Sequence, residues 1–335
     1  MNSLKYSNLT SDLKICKLIN GMWQVSGAHG YIDKEKAIKS MGQYVDEGFI
    51  TWDLADHYGP AEDFVKIFRE TRINEGVNSL QDLNFFTKWV PRPQTITQHV
   101  VEKAINISRI RMGMDSLDML QFHWWDYQDT NYIKAIEALD SLRAKGVIKT
   151  LGLTNFDTQH LQEFIDMGIE IVSNQVQYSL IDRRPEQLMA RVCKNQDIKL
   201  LAYGTLCGGL LSKKYLGQPE PSSDQLFTAS LYKYKNIIDR WGGWNLFQDL
   251  LKKLDEIAQK YDVSIANVAV RYVLENPIVG GAIVGARLGI SEHIKENARV
   301  FKFSLNPEDY EQINEILANS RDLIKVIGDC GDEYR

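Results

Sequence analysis

The sequence predicts a (β/α)8 TIM barrel built as a single domain over residues 1–335, with a long insertion before the eighth strand and a C-terminal helix and tail. Three observations carry that expectation. Eight short apolar runs recur along the chain, each followed by a stretch of helical period. Their starts lie mostly about 20 to 35 residues apart, the spacing of repeated parallel βαβ units, for which a closed barrel is the simplest solution. Most of the runs end in a polar or ionisable residue, as they would if the C-terminal ends of the strands converged on one mouth.

In order, the runs are "KLINGMWQV" from 17, "FITWDLA" from 49, "LNFFTKWV" from 83, "LDMLQFHW" from 117, "IKTLGLTN" from 148, "IEIVSNQV" from 169, "IKLLAYG" from 198 and "GAIVGA" from 281. Between them, "KEKAIKSMGQYVDEG" and "TNYIKAIEALDSLRAKG" set apolar residues at i, i+3, i+4 and i+7, one face of a helix. The gap before the last run is about eighty residues, long for one βα unit. It holds "LGQPEPSSDQLFTAS", read as an inserted loop, the aromatic "RWGGWN", and two helical stretches, "LFQDLLKKLDEIAQKY" and "SIANVAVRYVLEN". Helices are expected again at "SEHIKENARVF" and "NPEDYEQINEILANS", ahead of the tail "DLIKVIGDCGDEYR".

At 44% hydrophobic and 25% charged residues, the composition is that of a soluble globular protein rather than a disordered or fibrous one. A net charge of −5, with Lys and Arg scattered, leaves no electrostatic footprint for nucleic acid. The four cysteines, Cys16, Cys193, Cys207 and Cys330, form no CxxC pair, which argues against a disulfide framework or zinc site and fits a reducing compartment. The opening "MNSLKYSNLTSDLK" has neither an apolar h-region nor Arg-rich transit character, and no apolar run is long enough to span a bilayer. A cytoplasmic protein of enzyme size, without a membrane partner, is expected.

The polar residues at the strand ends form an ordered set. Asp53 ends the second run, Lys88 the third, His123 the fourth, Thr154 and Asn155 the fifth, Gln175 the sixth and Tyr203 the seventh, with Tyr58 in the loop after Asp53. Singly, each has a structural explanation: Asp53 as a helix cap, Lys88 as a snorkelling side chain, Tyr58 as a packed loop ring and His123 as a satisfied core histidine. Together they suggest acid–base chemistry. An ammonium at Lys88 beside Tyr58 is expected to favour phenolate and bring a phenol of ordinary pKa about 10 toward working pH, while Asp53 keeps the lysine charged. Tyr58 then serves as general acid and His123 as a donor to a substrate oxygen.

These residues, in "DLADHYGPAED", "FFTKWVP", "DMLQFHWWD", "GLTNFD", "SNQVQYSL" and "GARLGISEHIKEN", make a pattern that resembles the aldo-keto reductase superfamily over nearly the whole chain. Within it, "MWQ", "ADHYGPAED", "HWWDY" and "VIGDCGDEYR" look like a plant and cyanobacterial branch. The resemblance implies a nicotinamide cofactor whose hydride passes to a carbonyl carbon while Tyr58 protonates the oxygen, Lys88 and Asp53 tune that phenol, and His123 orients the carbonyl. It assigns Asn155 and Gln175 to the carboxamide of the nicotinamide with Thr154 beside them, Tyr203 to stacking on the ring, and the backbone at Gly204, Leu206 and Gly208 to the pyrophosphate. Arg287 falls at a basic position near the ribose 2′-phosphate, and Glu296 and Asn297 at the adenine, so NADPH is the expected cofactor and NADH the alternative.

Leu54, Trp125 and the "NGMWQ" segment depart from the common family pattern without touching the tetrad. They bear on the pocket. Trp23, placed beside cofactor and substrate, is expected to wall it together with Trp124 and Trp125, with Trp241 and Trp244 as further candidates, which suits an apolar or planar carbonyl compound. The leading expectation is NADPH-dependent reduction of an aldehyde or ketone to an alcohol. The alternative is a nicotinamide-binding sensing or regulatory module with little turnover, as in potassium-channel β subunits of this fold. A metal enzyme needs several converging ligands, and Lys88 is a poor neighbour for a cation, so no metal is expected. The sequence sets no oligomeric state, and the tail is expected either to cover the mouth or to pack outside.

Overall fold

The computed structural model of the chain describes residues 5–27, 30, 32–77, 80–290 and 293–334. A short antiparallel hairpin, β1 (Tyr6–Asn8) and β2 (Lys14–Cys16), precedes the first expected run. Then come β3 (Leu18–Gly21), β4 (Thr51–Asp53), β5 (Asn84–Trp89), β6 (Leu117–His123), β7 (Ile148–Thr154), β8 (Ser173–Gln177), β9 (Lys199–Tyr203) and β10 (Val279–Gly285). Each overlaps its expected run. All eight pair in parallel, and β10 pairs with both β9 and β3, so the sheet closes into a (β/α)8 barrel.

Among the described residues, six helices lie between consecutive strands: α1 (Lys34–Asp46), α2 (Ala61–Asn74), α3 (Gln98–Met112), α4 (Asn131–Ala144), α5 (Thr158–Asp166) and α6 (Met189–Gln196). The insertion holds α7 (Ala229–Trp241), α8 (Gly243–Lys260) and α9 (Ile265–Leu274), and the chain ends with α10 (Ile294–Ala298), α11 (Pro307–Leu317) and α12 (Leu323–Ile327). Asp33, Thr97, Asp157 and Thr228 start α1, α3, α5 and α7 by accepting a backbone N–H from the first turn, a donor that a helix start leaves open. Among the described residues no helix is long and apolar enough to cross a membrane.

Two segments differ from expectation. The first strand stops at Gly21, and Trp23–Ser26 form a 3-10 turn instead, while the Met22 N–H donates to the Asp53 carbonyl at 2.9 Å. The insertion is also more ordered than a loop: α7 begins at its end, although Leu231, Tyr234, Ile238 and Trp241 already repeat at helical spacing in the sequence.

The hairpin has a role in the barrel. Its Leu9, Leu13 and Ile15 pack with Ile19, Phe86, Met119 and Leu201 in a cluster separate from the larger shell between strands and helices. The Ser7 hydroxyl donates to the Gly280 carbonyl at 2.6 Å, and the Lys17 N–H to the Lys5 carbonyl at 2.8 Å. Gly280 and Lys17 lie at the N-terminal ends of β10 and β3, so the hairpin stoppers the end opposite the mouth.

Candidate active site

The registers that close the barrel decide which side chains meet. Gly21 pairs with Asp53, Lys88 with Gln121, His123 with Thr154 and Thr154 with Gln175. Asp53, Lys88, Gln121, His123 and Gln175 are all buried. Lys88 Nζ donates to Asp53 Oδ2 at 2.6 Å and to the Leu54 carbonyl at 2.8 Å. Asp53 Oδ1 accepts from Gln121 Nε2 at 2.8 Å and from Gln175 Nε2 at 2.7 Å, and Gln175 Nε2 also lies 2.6 Å from Gln121 Oε1. One ammonium and two amides thus offset the desolvation of a single buried carboxylate.

Past Asp53 the parallel pairing with β5 continues, the Leu54 N–H donating to the Phe86 carbonyl at 2.7 Å and the Asp56 N–H to the Lys88 carbonyl at 3.0 Å. This extension carries Tyr58 over Lys88, whose Nζ is 5.1 Å from the centroid of the phenol ring. Glu62, in the first turn of α2, accepts from Thr87 Oγ1 at 2.7 Å and so ties the helix after Tyr58 to the strand of Lys88. Trp23 meets Tyr58 edge-on at 5.0 Å, and Trp125 meets His123 edge-on at 4.3 Å.

Burial pushes the Tyr58 phenol well above its ordinary value, with Asp53, Tyr334 and Asp56 adding to the rise. Burial also lowers the Lys88 ammonium, against the pull of Asp53. The expected approach of Tyr58 toward neutral pKa is therefore not what this arrangement gives. Lys88 is already matched by a carboxylate 2.6 Å away, so the cost of burying a phenolate dominates. Tyr58 holds its proton through neutral pH, which is the state a proton donor needs.

On the neighbouring strands, the Asn155 N–H donates to the Gln175 carbonyl at 2.9 Å, and the Tyr203 hydroxyl lies 2.8 Å from Asn155 Oδ1. Thr154 Oγ1 and Thr205 Oγ1 are buried and, among the described residues, have no hydrogen-bond partner. Unsatisfied hydroxyls beside a barrel mouth fit the polar groups of a nicotinamide dinucleotide. The glycines of the next loop also admit a close protein neighbour. Gly204 and Gly208 are left-handed, and a Cβ on them would come within 2.2 Å of the Tyr234 hydroxyl and 2.9 Å of the Ser230 carbonyl. Their missing side chains make room for α7, with half-buried Leu206 between them.

The tail lies over the mouth. Arg184, with its side chain almost fully buried, donates from Nε to Asp182 Oδ1 at 2.9 Å, from Nη2 to Asp182 Oδ2 at 2.8 Å and Glu333 Oε2 at 2.9 Å, and from Nη1 to the Asp329 carbonyl at 2.8 Å. Asp329 Oδ2 accepts the Thr158 N–H at the start of α5, at 2.8 Å. Glu333 Oε1 and the Tyr334 hydroxyl then stand 3.1 and 3.2 Å from the Tyr203 hydroxyl, and the Tyr334 ring meets Trp125 edge-on at 6.2 Å. Lys233 of α7 bonds the Tyr334 hydroxyl and stands over the rings of Tyr203, Tyr234 and Tyr334. Against the upward push of burial, Arg184 and Lys233 hold the Glu333 carboxyl below its usual range.

Several expected site residues sit elsewhere. Trp124 falls on the outward face of the strand end, packs against Phe122 and Tyr132, and donates from Nε1 to the Asp126 and Asp129 carbonyls at 2.8 and 3.0 Å. It anchors a loop rather than walling a pocket, because side chains alternate along a strand and His123 takes the inner side. Trp241 is buried in α7, and Trp244 packs on Tyr215 and Phe247. Gln175 points its amide at Asp53. Arg287 is exposed in the loop after β10, while Glu296 and Asn297 are half-buried on α10. Sequence reasoning misses Gln121, Arg184, Lys233, Glu333 and Tyr334. Gln121 alone carries a signal, since it stands two residues before His123 and hence on the same face of β6.

Residues 17–318 match the aldo/keto reductase family. The chain belongs to that family, and it is an NAD(P)-dependent oxidoreductase. It is similar to the aldo-keto reductase YhdN of Bacillus subtilis, 26% identical over 90% of this chain and 89% of the relative. It is also similar to the NADH-specific methylglyoxal reductase of Escherichia coli, 22% identical over 92% of this chain and 96% of the relative. Among solved structures, the glycerol dehydrogenase AKR11B4 of Gluconobacter oxydans shares the fold with a TM-score of 0.77, at 21% identity over 94% of this chain and 96% of the other.

Proposed function

We propose that this protein reduces an aldehyde or ketone to an alcohol with NADPH, Tyr58 acting as general acid. The observation that carries the reading is the buried Asp53–Lys88 pair with the Tyr58 ring above it and His123 at the same mouth. A reduced nicotinamide, when bound, supplies the hydride. Tyr58 gives its proton to the carbonyl oxygen as negative charge develops there, and the Lys88 ammonium beneath the ring stabilises the phenolate left behind. Asp53, held by Lys88, Gln121 and Gln175, fixes that ammonium in place. His123 donates to the same oxygen and orients the carbonyl, while Trp23 and Trp125 flank it as apolar walls. The upward shift of Tyr58 keeps the phenol protonated at neutral pH, the form in which it can donate.

Thr154, Asn155 and Tyr203 are the residues proposed to hold the nicotinamide, with Thr205 and the turn at Gly204, Leu206 and Gly208 along the pyrophosphate and Glu296 and Asn297 at the adenine. Gln175, whose amide nitrogen supports Asp53, is proposed to serve the carboxamide as well. Arg287 is proposed to meet the 2′-phosphate, since a guanidinium grips phosphate by paired hydrogen bonds and its exposure leaves it accessible. Arg287→Leu is expected to weaken NADPH about tenfold or more and to leave NADH within about twofold, measured by fluorescence titration. An unchanged preference would remove Arg287 from the phosphate site. The narrower kinship with a plant and cyanobacterial branch rests on the motifs alone.

A second reading, a nicotinamide-binding sensor with little turnover, is favoured by one observation: the tail crosses the mouth at Tyr203. Loss of NADPH absorbance with a panel of aromatic and aliphatic aldehydes separates the two. Steady turnover of at least one aldehyde is expected, whereas tight NADPH binding with every aldehyde inert would favour the sensor.

A further inference from the structure

The tail does more than cover the mouth. The Tyr203 hydroxyl is met from two sides: Asn155 Oδ1, at 2.8 Å, belongs to the barrel rim, while Glu333 Oε1, at 3.1 Å, and the Tyr334 hydroxyl, at 3.2 Å, belong to the tail. Glu333 is itself set by the rim. Its Oε2 takes Arg184 Nη2 at 2.9 Å and the Gly331 N–H at 3.0 Å, and Arg184 is clamped to Asp182, which also accepts Gln177 Nε2 at 2.6 Å from the strand next to that of Tyr203. A tyrosine at a strand end can swing about two side-chain bonds, and its ring plane is fixed only if the far end is held. A charged carboxylate is a stronger acceptor for a phenolic proton than a neutral amide.

We propose that Glu333, presented by Arg184, is a positioning residue that fixes the plane of Tyr203 and thereby the platform on which the nicotinamide stacks. This rests on the assignment of Tyr203 to the nicotinamide made above. The tail is then a part of the cofactor site delivered from the far end of the chain. Its action is confined to the nicotinamide half of the dinucleotide, and it depends on the Tyr203 hydroxyl.

Both features can be read in one double-mutant cycle, with NADPH and adenosine 2′,5′-bisphosphate as probes and affinity measured by fluorescence or calorimetry on the full chain. Glu333→Ala is expected to weaken NADPH about tenfold, the scale of one charge-assisted hydrogen bond, and to leave the bisphosphate, which lacks nicotinamide, within about twofold. In a Tyr203→Phe background, which has no hydroxyl to hold, Glu333→Ala is expected to change NADPH affinity by less than about twofold. Glu333→Gln, which keeps the shape and an acceptor oxygen, recovers part of the loss and serves alone if the alanine variant does not fold. An unchanged NADPH affinity in the single variant, an equal loss for both probes, or a full loss persisting without the Tyr203 hydroxyl would each overturn the proposal. A parent protein that binds neither NADPH nor NADH would instead defeat the functional reading beneath it, and the positioning role with it.

Discussion

Replacing Tyr58 with Phe is expected to lower carbonyl reduction a hundred- to ten-thousandfold while leaving NADPH affinity within about twofold, the range for loss of a positioned general acid. The substitution removes one oxygen and keeps the ring that Trp23 and Lys88 touch, so the packing of the mouth survives. The effect therefore falls on the transition state. Because burial raises the Tyr58 phenol, kcat/KM for reduction in the parent is expected to stay level through neutral pH and to fall only where the phenol finally ionises, on the alkaline side. That limb vanishes in the phenylalanine variant. Steady-state rates across pH for both proteins check the claim, and equal rates would take the proton away from Tyr58.

Arg184→Met is expected to destabilise the fold by about 3 to 5 kcal/mol, the scale of breaking a buried ion pair from one side. The loss leaves the buried Asp182 carboxylate without its cation, takes from Glu333 one of the two cations acting on it, and removes the donor to the Asp329 carbonyl. Lys is not expected to rescue it, since one ammonium cannot reach acceptors that Nε, Nη1 and Nη2 meet from a rigid plane. Urea unfolding of parent and variant measures the difference, and a change below about 1 kcal/mol would show that the clamp contributes little.

The barrel was legible because its signal is local and repeated: each run of β-branched and apolar residues is followed by helical period, and eight such units close in only one common way. The tetrad was legible for a related reason, as strand ends converge wherever the barrel closes. What sequence could not supply was direction within a strand end. Trp124 and Trp125 are adjacent, yet only Trp125 faces His123, because the strand alternates and the final register decides the side. Nor could spacing weigh the expected pairing of Lys88 with Asp53 against burial, which rather than the lysine sets the Tyr58 phenol. The tail contacts were invisible for the plainest reason: Arg184 and Glu333 are 149 residues apart, and nothing periodic links them.

The hairpin at the closed end of the barrel has a bearing on how the chain is made. Leu18 of β3 must find Ala282 of β10, and the Ser7 hydroxyl spans 273 residues to Gly280. Such distant partners form late, since little of their loop-closure entropy is recovered by earlier local contacts. During synthesis Leu9, Leu13 and Ile15 emerge ahead of Phe86, Met119 and Leu201, on which they finally pack. The segment that ends as an interior stopper is thus apolar chain that waits uncovered while the ring is still open.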